Sequence, residues 1–209
     1  GINVMVALSN YEEIVRAGVS AGVDFIISGA GLPLPLPGYV GSAEVALIPV
    51  ISSGRAAEVL VKAWLRKYQR QPDAVIVEGP RCGGHLGFTP EQLANDHSCS
   101  LDLLYREVRA VLDRYDCPAP LIAAGEVACR ADVEAALAMG YQGVQIGTQL
   151  IAAAESGIAT ASKQVFVNAT PDDVVVIRSP VGLPVRVLRT PLVERVLAGK
   201  REPFTCPYR

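Results

Sequence analysis

The stretch Glu78 to Phe88, EGPRCGGHLGF, sets one of the chain's two histidines directly behind a Gly-Gly pair at the end of an apolar run. An imidazole titrates near neutrality in water, so a histidine placed there can take or donate a proton. Gly83 and Gly84 strip side chains from the approach, which lets a flat ligand come close to the backbone. An isolated Gly-Gly-His is more often a turn whose histidine caps a carbonyl, so its neighbours decide its meaning. Two further stretches are relevant. In AAGEVACRADVEAAL an apolar run ends at Gly125 and a helix follows; in GVQIGTQL the last apolar run ends at Gly147 and Thr148 and leads towards another helix. A glycine at a strand-to-helix turn usually only makes the turn, but two adjacent loops of this kind are where a parallel barrel binds phosphate through backbone N–H groups and helix N-termini.

The remaining reactive residues point to less. His97, in ANDHSCS, lies in a polar loop and is expected to face solvent. Cys82 adjoins the Gly-Gly-His stretch, with only Arg81 beside it to lower a thiol pKa, and reads as buried rather than reactive. Two histidines without an acidic partner at ligand spacing give no metal site. Neither a G-x-S-x-G elbow nor a Walker loop is present, which removes the hydrolase and NTPase readings.

The elements that must hold these loops are short β-rich runs alternating with amphipathic ones. Ile2 to Ala7, Phe25 to Ser28, Val45 to Ile51, Ala74 to Val77, Leu121 to Ala124 and Val144 to Ile146 are near-continuous apolar stretches, the pattern of strands buried on both faces of a parallel sheet. Asn10 is expected to cap a helix opening with Glu12 and Glu13. Ser53 opens another, with Ala56, Val59, Leu60, Ala63 and Trp64 inward and Lys62, Arg66 and Lys67 wet. Ser100 opens a third, with Leu104, Val108, Val111 and Leu112 inward, and ADVEAALAMG is a helix closed by Gly140. The GLPLPLPG stretch reads as a rigid loop.

Strand-helix repeats imply either an open doubly wound sheet or a closed (β/α)8 barrel. A dinucleotide fold needs G-x-G-x-x-G entering a helix, and the nearest match, SGAGLPLP, runs into prolines. Glycine-rich loops instead follow nearly every strand, where a barrel builds its site. The expectation is a single α/β domain over residues 1–209, a TIM barrel of which six strands are visible, with its first two βα units missing from this chain.

Composition bounds the partners. Half of the 209 residues are hydrophobic, enough for one sizeable core, and the net charge of -2 with dispersed Lys and Arg gives no footprint for nucleic acid. The five cysteines are odd in number and without a C-x-x-C pair, which fits a reducing cytoplasm. No apolar run reaches the ~18 residues of a membrane span. A small-molecule partner is expected, with a homodimer as one arrangement.

Taken in order, GINVMVA, VDFIISGAGLP, VIVEGPRCGGHLG, PLIAAGEV and GVQIGTQLIAAAES resemble successive strand-end motifs of the nitronate monooxygenase (2-nitropropane dioxygenase) family of FMN-dependent barrels, related to FMN-dependent enoyl-acyl carrier protein reductases. The similarity extends through SPVGLPVRVLRTPLVERV. It implies an oxidoreductase that uses FMN and dioxygen to turn alkyl nitronates into carbonyl compounds and nitrite. The alternatives are an NAD(P)H-dependent FMN reductase of enoyl-thioester or quinone substrates, and an inactive flavin- or phosphate-binding barrel fragment. By the same resemblance His85 is the catalytic base or orienting donor, and Gly83 and Gly84 clear room for the flavin. Asn3, Glu78 and Gln145 would contact it from strands, while Gly125, Glu126, Gly147 and Thr148 would hold its phosphate. Where the family usually reads Gly-Gly-Ile this chain reads Gly125-Glu126-Val127, which sets a carboxylate beside the phosphate that is repulsive unless it turns away.

Overall fold

A computed structural model describes residues 1–179 and 182–200. Its strands are β1 (Ile2–Met5), β2 (Phe25–Gly29), β3 (Ala46–Ile51), β4 (Val75–Glu78), β5 (Gly84–His85), β6 (Leu121–Ala124), β7 (Gly143–Gln145), β8 (Val174–Arg178) and β9 (Pro184–Leu188). The helices are α1 (Tyr11–Ser20), α2 (Leu36–Val40), α3 (Gly54–Tyr68), α4 (Pro90–Ala94), α5 (Leu101–Arg114), α6 (Arg130–Ala138), α7 (Thr148–Ile151), α8 (Thr160–Asn168) and α9 (Pro191–Leu197). Six strands run parallel in the order β1-β2-β3-β4-β6-β7 and curl into a half-barrel, while β5, β9 and β8 form a small antiparallel sheet. The expected α/β architecture and all six expected parallel strands are present.

Register divides the large sheet into two faces, because side chains alternate along a strand. Val4, Ile26, Ser28, Leu47, Ile51, Val77 and Leu121 share one face and are buried under the helices. There Tyr11 of α1 hydrogen-bonds Ser28 at 2.8 Å, and Trp64 of α3, fully buried, donates its indole N–H to the Pro33 carbonyl at 3.1 Å. The other face carries Asn3, Ile27, Ile48, Val50, Ile76, Glu78, Ala124 and Gln145. It is the concave side. Burial on both faces therefore holds for β4 but not for β3, where Leu47, Pro49 and Ile51 are buried and Ile48 and Val50 only half-buried.

Several local expectations need correction. Ser53 and Ser100 do cap α3 and α5, accepting from the Ala56 N–H at 3.1 Å and the Leu103 N–H at 3.5 Å. Asn10 occupies the N-cap position of α1 without a side-chain bond. The buried stripe of α3 is Ala57, Leu60, Val61 and Trp64, so Val59 lies outside it and is exposed. Within GLPLPLPG the chain turns into α2, because Pro35 stands at the N-cap and Pro37 in the first turn, where no amide is needed. The antiparallel pair of β8 with β9 has no counterpart among the six expected strands. Among the described residues no helix is long and apolar enough to cross a membrane.

Candidate functional site

Glu78, Ala124 and Gln145 stand level across β4, β6 and β7 at the carboxyl ends of the parallel strands, on the concave face. Glu78 is half-buried and its carboxyl accepts one hydrogen bond, from the Gly87 N–H at 3.1 Å. Burial penalises the charged form more than that one bond favours it, pushing the Glu78 pKa up to about 7. A carboxyl so placed can hold or release a proton near neutral pH. The Gly87 carbonyl in turn accepts from the Ser52 hydroxyl at 2.9 Å, so β3 and β4 grip both ends of one residue just beyond His85.

His85 is half-buried in β5, paired with Val185 of β9, and the next amide, Leu86 N–H, bonds the Pro184 carbonyl at 2.9 Å. Beside it Gly84 has φ +84 and open space where a Cβ would lie. Gly83 packs against α7 instead: a Cβ there would stand 2.7 Å from the Thr148 hydroxyl. Gly125 is in the left-handed region at φ +83, and a Cβ would meet the Cys82 sulfur at 2.5 Å and its amide nitrogen at 3.0 Å. No residue with a side chain fits that turn without displacing the loop. These contacts bring the Gly-Gly-His loop, the end of β6 and the start of α7 together as one surface.

The cysteine in that surface is buried and its thiol is held protonated. Burial, helped by the nearby Glu78 carboxylate, pushes the Cys82 thiol up to about 12. Glu126 follows Gly125 at φ +63, a left-handed conformation for a residue with a Cβ, and is exposed. Asp132 accepts from the Ala128 and Cys129 amides at 2.8 and 2.9 Å, so the first turn of α6 is served by its own carboxylate, whose pKa these amides hold low. Gly147 precedes α7 with open space around it. Asn3 is exposed on the concave face, but β2 and β3 intervene between its strand and that of Glu78, roughly 14 Å of sheet. His97 is exposed in the turn after α4, as expected.

Two buried side-chain oxygens lack a partner among the described residues, Ser179 Oγ and, on the concave face of the sheet, Gln145 Oε1. A buried unpaired amide oxygen costs about 1–3 kcal/mol. Two surface cavities, of about 620 and 460 Å³, lie at the opposite ends of the strands. Asp73, which lines both, accepts from the Leu47 amide at 2.7 Å and pairs with Arg70 at 2.6 Å, ties that hold the starts of the strands, at the end opposite to Glu78 and Gln145.

Comparison with known proteins fits this geometry. The family model described as nitronate monooxygenase matches residues 1–209. The chain belongs to the nitronate monooxygenase family. It is therefore part of an oxidoreductase enzyme family. A curated relative, (3aS,4S,5R,7aS)-5-hydroxy-7a-methyl-1-oxo-octahydro-1H-indene-4-carboxyl-CoA dehydrogenase of Mycobacterium tuberculosis, is 30% identical over 96% of this chain and 51% of its own length. Nitronate monooxygenase of Paraburkholderia phytofirmans is 38% identical over 87 residues, 41% of this chain and 22% of its own. FabK from Thermotoga maritima superposes with a TM-score of 0.77 at 28% identity, over 97% of this chain and 58% of its own. The chain thus spans about half the length of that Mycobacterium tuberculosis relative.

The residues present suit the flavin that this family binds. Gln145 offers an acceptor lacking a donor, Glu78 offers a carboxyl that is partly protonated at neutral pH, and Gly84 and Gly147 leave backbone bare. Ser52 and Arg186, which fix the His85 loop, were not among the expected site residues. Ser52 follows an apolar strand like any turn serine, and Arg186 lies on β9, more than 100 positions from the loop it holds.

Proposed function

We propose that this chain contributes the flavin- and substrate-facing half of an FMN-dependent oxidoreductase that converts alkyl nitronates and dioxygen to carbonyl compounds and nitrite. Its six parallel strands supply six of the eight of a (β/α)8 barrel. The observation that carries the reading is the concave strand-end row of Glu78 and Gln145, with the orphaned Gln145 oxygen beside the loop that holds His85. FMN, when bound, supplies the electron-accepting ring. Gln145 would accept from the ring N–H, which would satisfy the buried oxygen. Gly84 would give the flavin clearance while Gly83 lets the loop close on Thr148, Glu78 and Asn3 would face it from the sheet, and Gly125, Glu126, Gly147 and Thr148 would lie at its phosphate end.

His85 moves the proton. A preformed nitronate is already an anion and needs only to be oriented, whereas a neutral nitroalkane must first lose a C–H proton to a base. Replacing His85 by Asn therefore lowers turnover of neutral nitroalkanes far more than turnover of nitronates. Equal losses on both would refute the assignment.

A second reading has its own support: similarity to a carboxyl-CoA dehydrogenase runs over 96% of the chain. In that reading the same surface transfers electrons between NAD(P)H and an unsaturated thioester or quinone. Anaerobic mixing separates the two, because fast bleaching of bound flavin by NADH or NADPH favours the reductase and fast bleaching by an alkyl nitronate favours the oxygenase.

A further inference from the structure

The Gly-Gly-His loop is held from a distance. Arg186, on β9, donates through a single guanidinium nitrogen to the carbonyls of Pro80 at 2.7 Å and Cys82 at 2.8 Å, residues more than 100 positions earlier in the chain. Pro80 and Cys82 are both buried, so these carbonyls have little access to water. The loop also closes on itself through the Cys82 N–H to the Gly79 carbonyl at 3.3 Å. On its far side, the Leu86 N–H bonds Pro184 at 2.9 Å and β5 pairs Gly84 with Arg186 and His85 with Val185. A ladder of two residues does not hold itself. His85 is thus fixed between one anchor made by an arginine side chain and another made by the strand carrying that arginine.

We infer that Arg186 is a positioning residue for His85, and that the β8–β9 hairpin is the part of the fold that sets the imidazole against the site. The inference rests on the proposed role of His85 in proton transfer. Two carbonyls directed at one point repel each other unless a cation stands between them, and a guanidinium nitrogen carries two hydrogens in a fixed fork, one for each. A lysine keeps the charge but not the fork. An alanine leaves two buried acceptors unpaired and frees the front of the loop, while the strand pairing behind it survives.

The test compares Arg186→Ala, Arg186→Lys and His85→Asn in the flavin-loaded full-length protein, assaying a neutral nitroalkane and its preformed nitronate and following the His85 imidazole by NMR, its signal assigned by its loss in His85→Asn. Misplacing the base makes Arg186→Ala lose on the order of 10-fold or more in kcat on the neutral substrate and less than about threefold on the nitronate. It also shifts the His85 signal, with Arg186→Lys in between on both counts. Equal losses on the two substrates, or an unmoved His85 signal, would overturn the inference, because a merely structural arginine has no reason to distinguish them. If His85→Asn itself fails to separate the substrates, the proton-transfer reading falls, and the NMR signal alone then decides whether Arg186 positions the ring. Should Arg186→Ala not fold, Arg186→Lys supplies the same two readouts, with a shift in both supporting the inference and none refuting it.

Discussion

Replacing Glu78 by Gln should stabilise the protein, and by an amount that depends on pH. The unfolded carboxyl loses its proton near 4.5, whereas burial holds the folded one protonated to about 7. Folding therefore takes up a proton between those values, and stability falls as pH rises through that window before levelling off above it. At about 1.4 kcal/mol for each pKa unit, the ceiling on this loss is about 3 kcal/mol. Gln cannot ionise, is close to Glu in shape, and keeps an oxygen for the Gly87 N–H. The variant should match the wild type at pH 4.5 and exceed it by up to about 3 kcal/mol at pH 8, which for a chain of this size moves the urea midpoint by about 1 M. Urea unfolding from pH 4.5 to 8.5 measures the difference directly. A gap of the same size at both ends would show that burial of Glu78 does not set its proton affinity.

Other substitutions probe the loops around it. Glu126→Gly removes a Cβ from a φ of +63; relief of about 1–2 kcal/mol less the added chain entropy leaves roughly 0.5–1 kcal/mol, a rise of about 2 °C in Tm, together with tighter FMN binding in a titration. Gly125→Ala should cost at least about 2 kcal/mol in a denaturant melt, since its Cβ meets Cys82 backbone as well as sulfur at a positive φ. Gln145→Leu removes the unpaired buried oxygen and should raise stability of the flavin-free protein by about 1 kcal/mol while weakening FMN binding.

The parts of the fold legible in the sequence are those governed by burial of apolar runs. All six parallel strands and the α5 stripe follow from hydrophobic periodicity, because helix cover on one face dictates it. The stripe of α3 came out rotated since Val59 and Val61 are equally apolar, and only the packing of Trp64 and Leu60 selects Val61. Two β-branched runs around Ser179 to Leu183 are an ordinary hairpin signal, yet nothing local tells that β9 will pair with Gly84 and His85. The site divides in the same way. Glycine marks close approach at Gly83 and Gly125, where a Cβ would meet Thr148 and Cys82, and the loop carrying His85 therefore lies against the end of β6 and the start of α7. The elevated pKa of Glu78, the stranded oxygen of Gln145 and the reach of Arg186 depend on long-range burial that no spacing encodes.

Whether this surface binds a flavin and passes substrate electrons to it is decided by titrating FMN into the full-length protein and then adding an alkyl nitronate without oxygen. A flavin site here gives a saturable change in the flavin spectrum, smaller in Gln145→Leu, followed by bleaching that His85→Asn leaves largely intact. A spectrum unchanged by the protein, or a bound flavin that neither nitronate nor NAD(P)H bleaches, would contradict it.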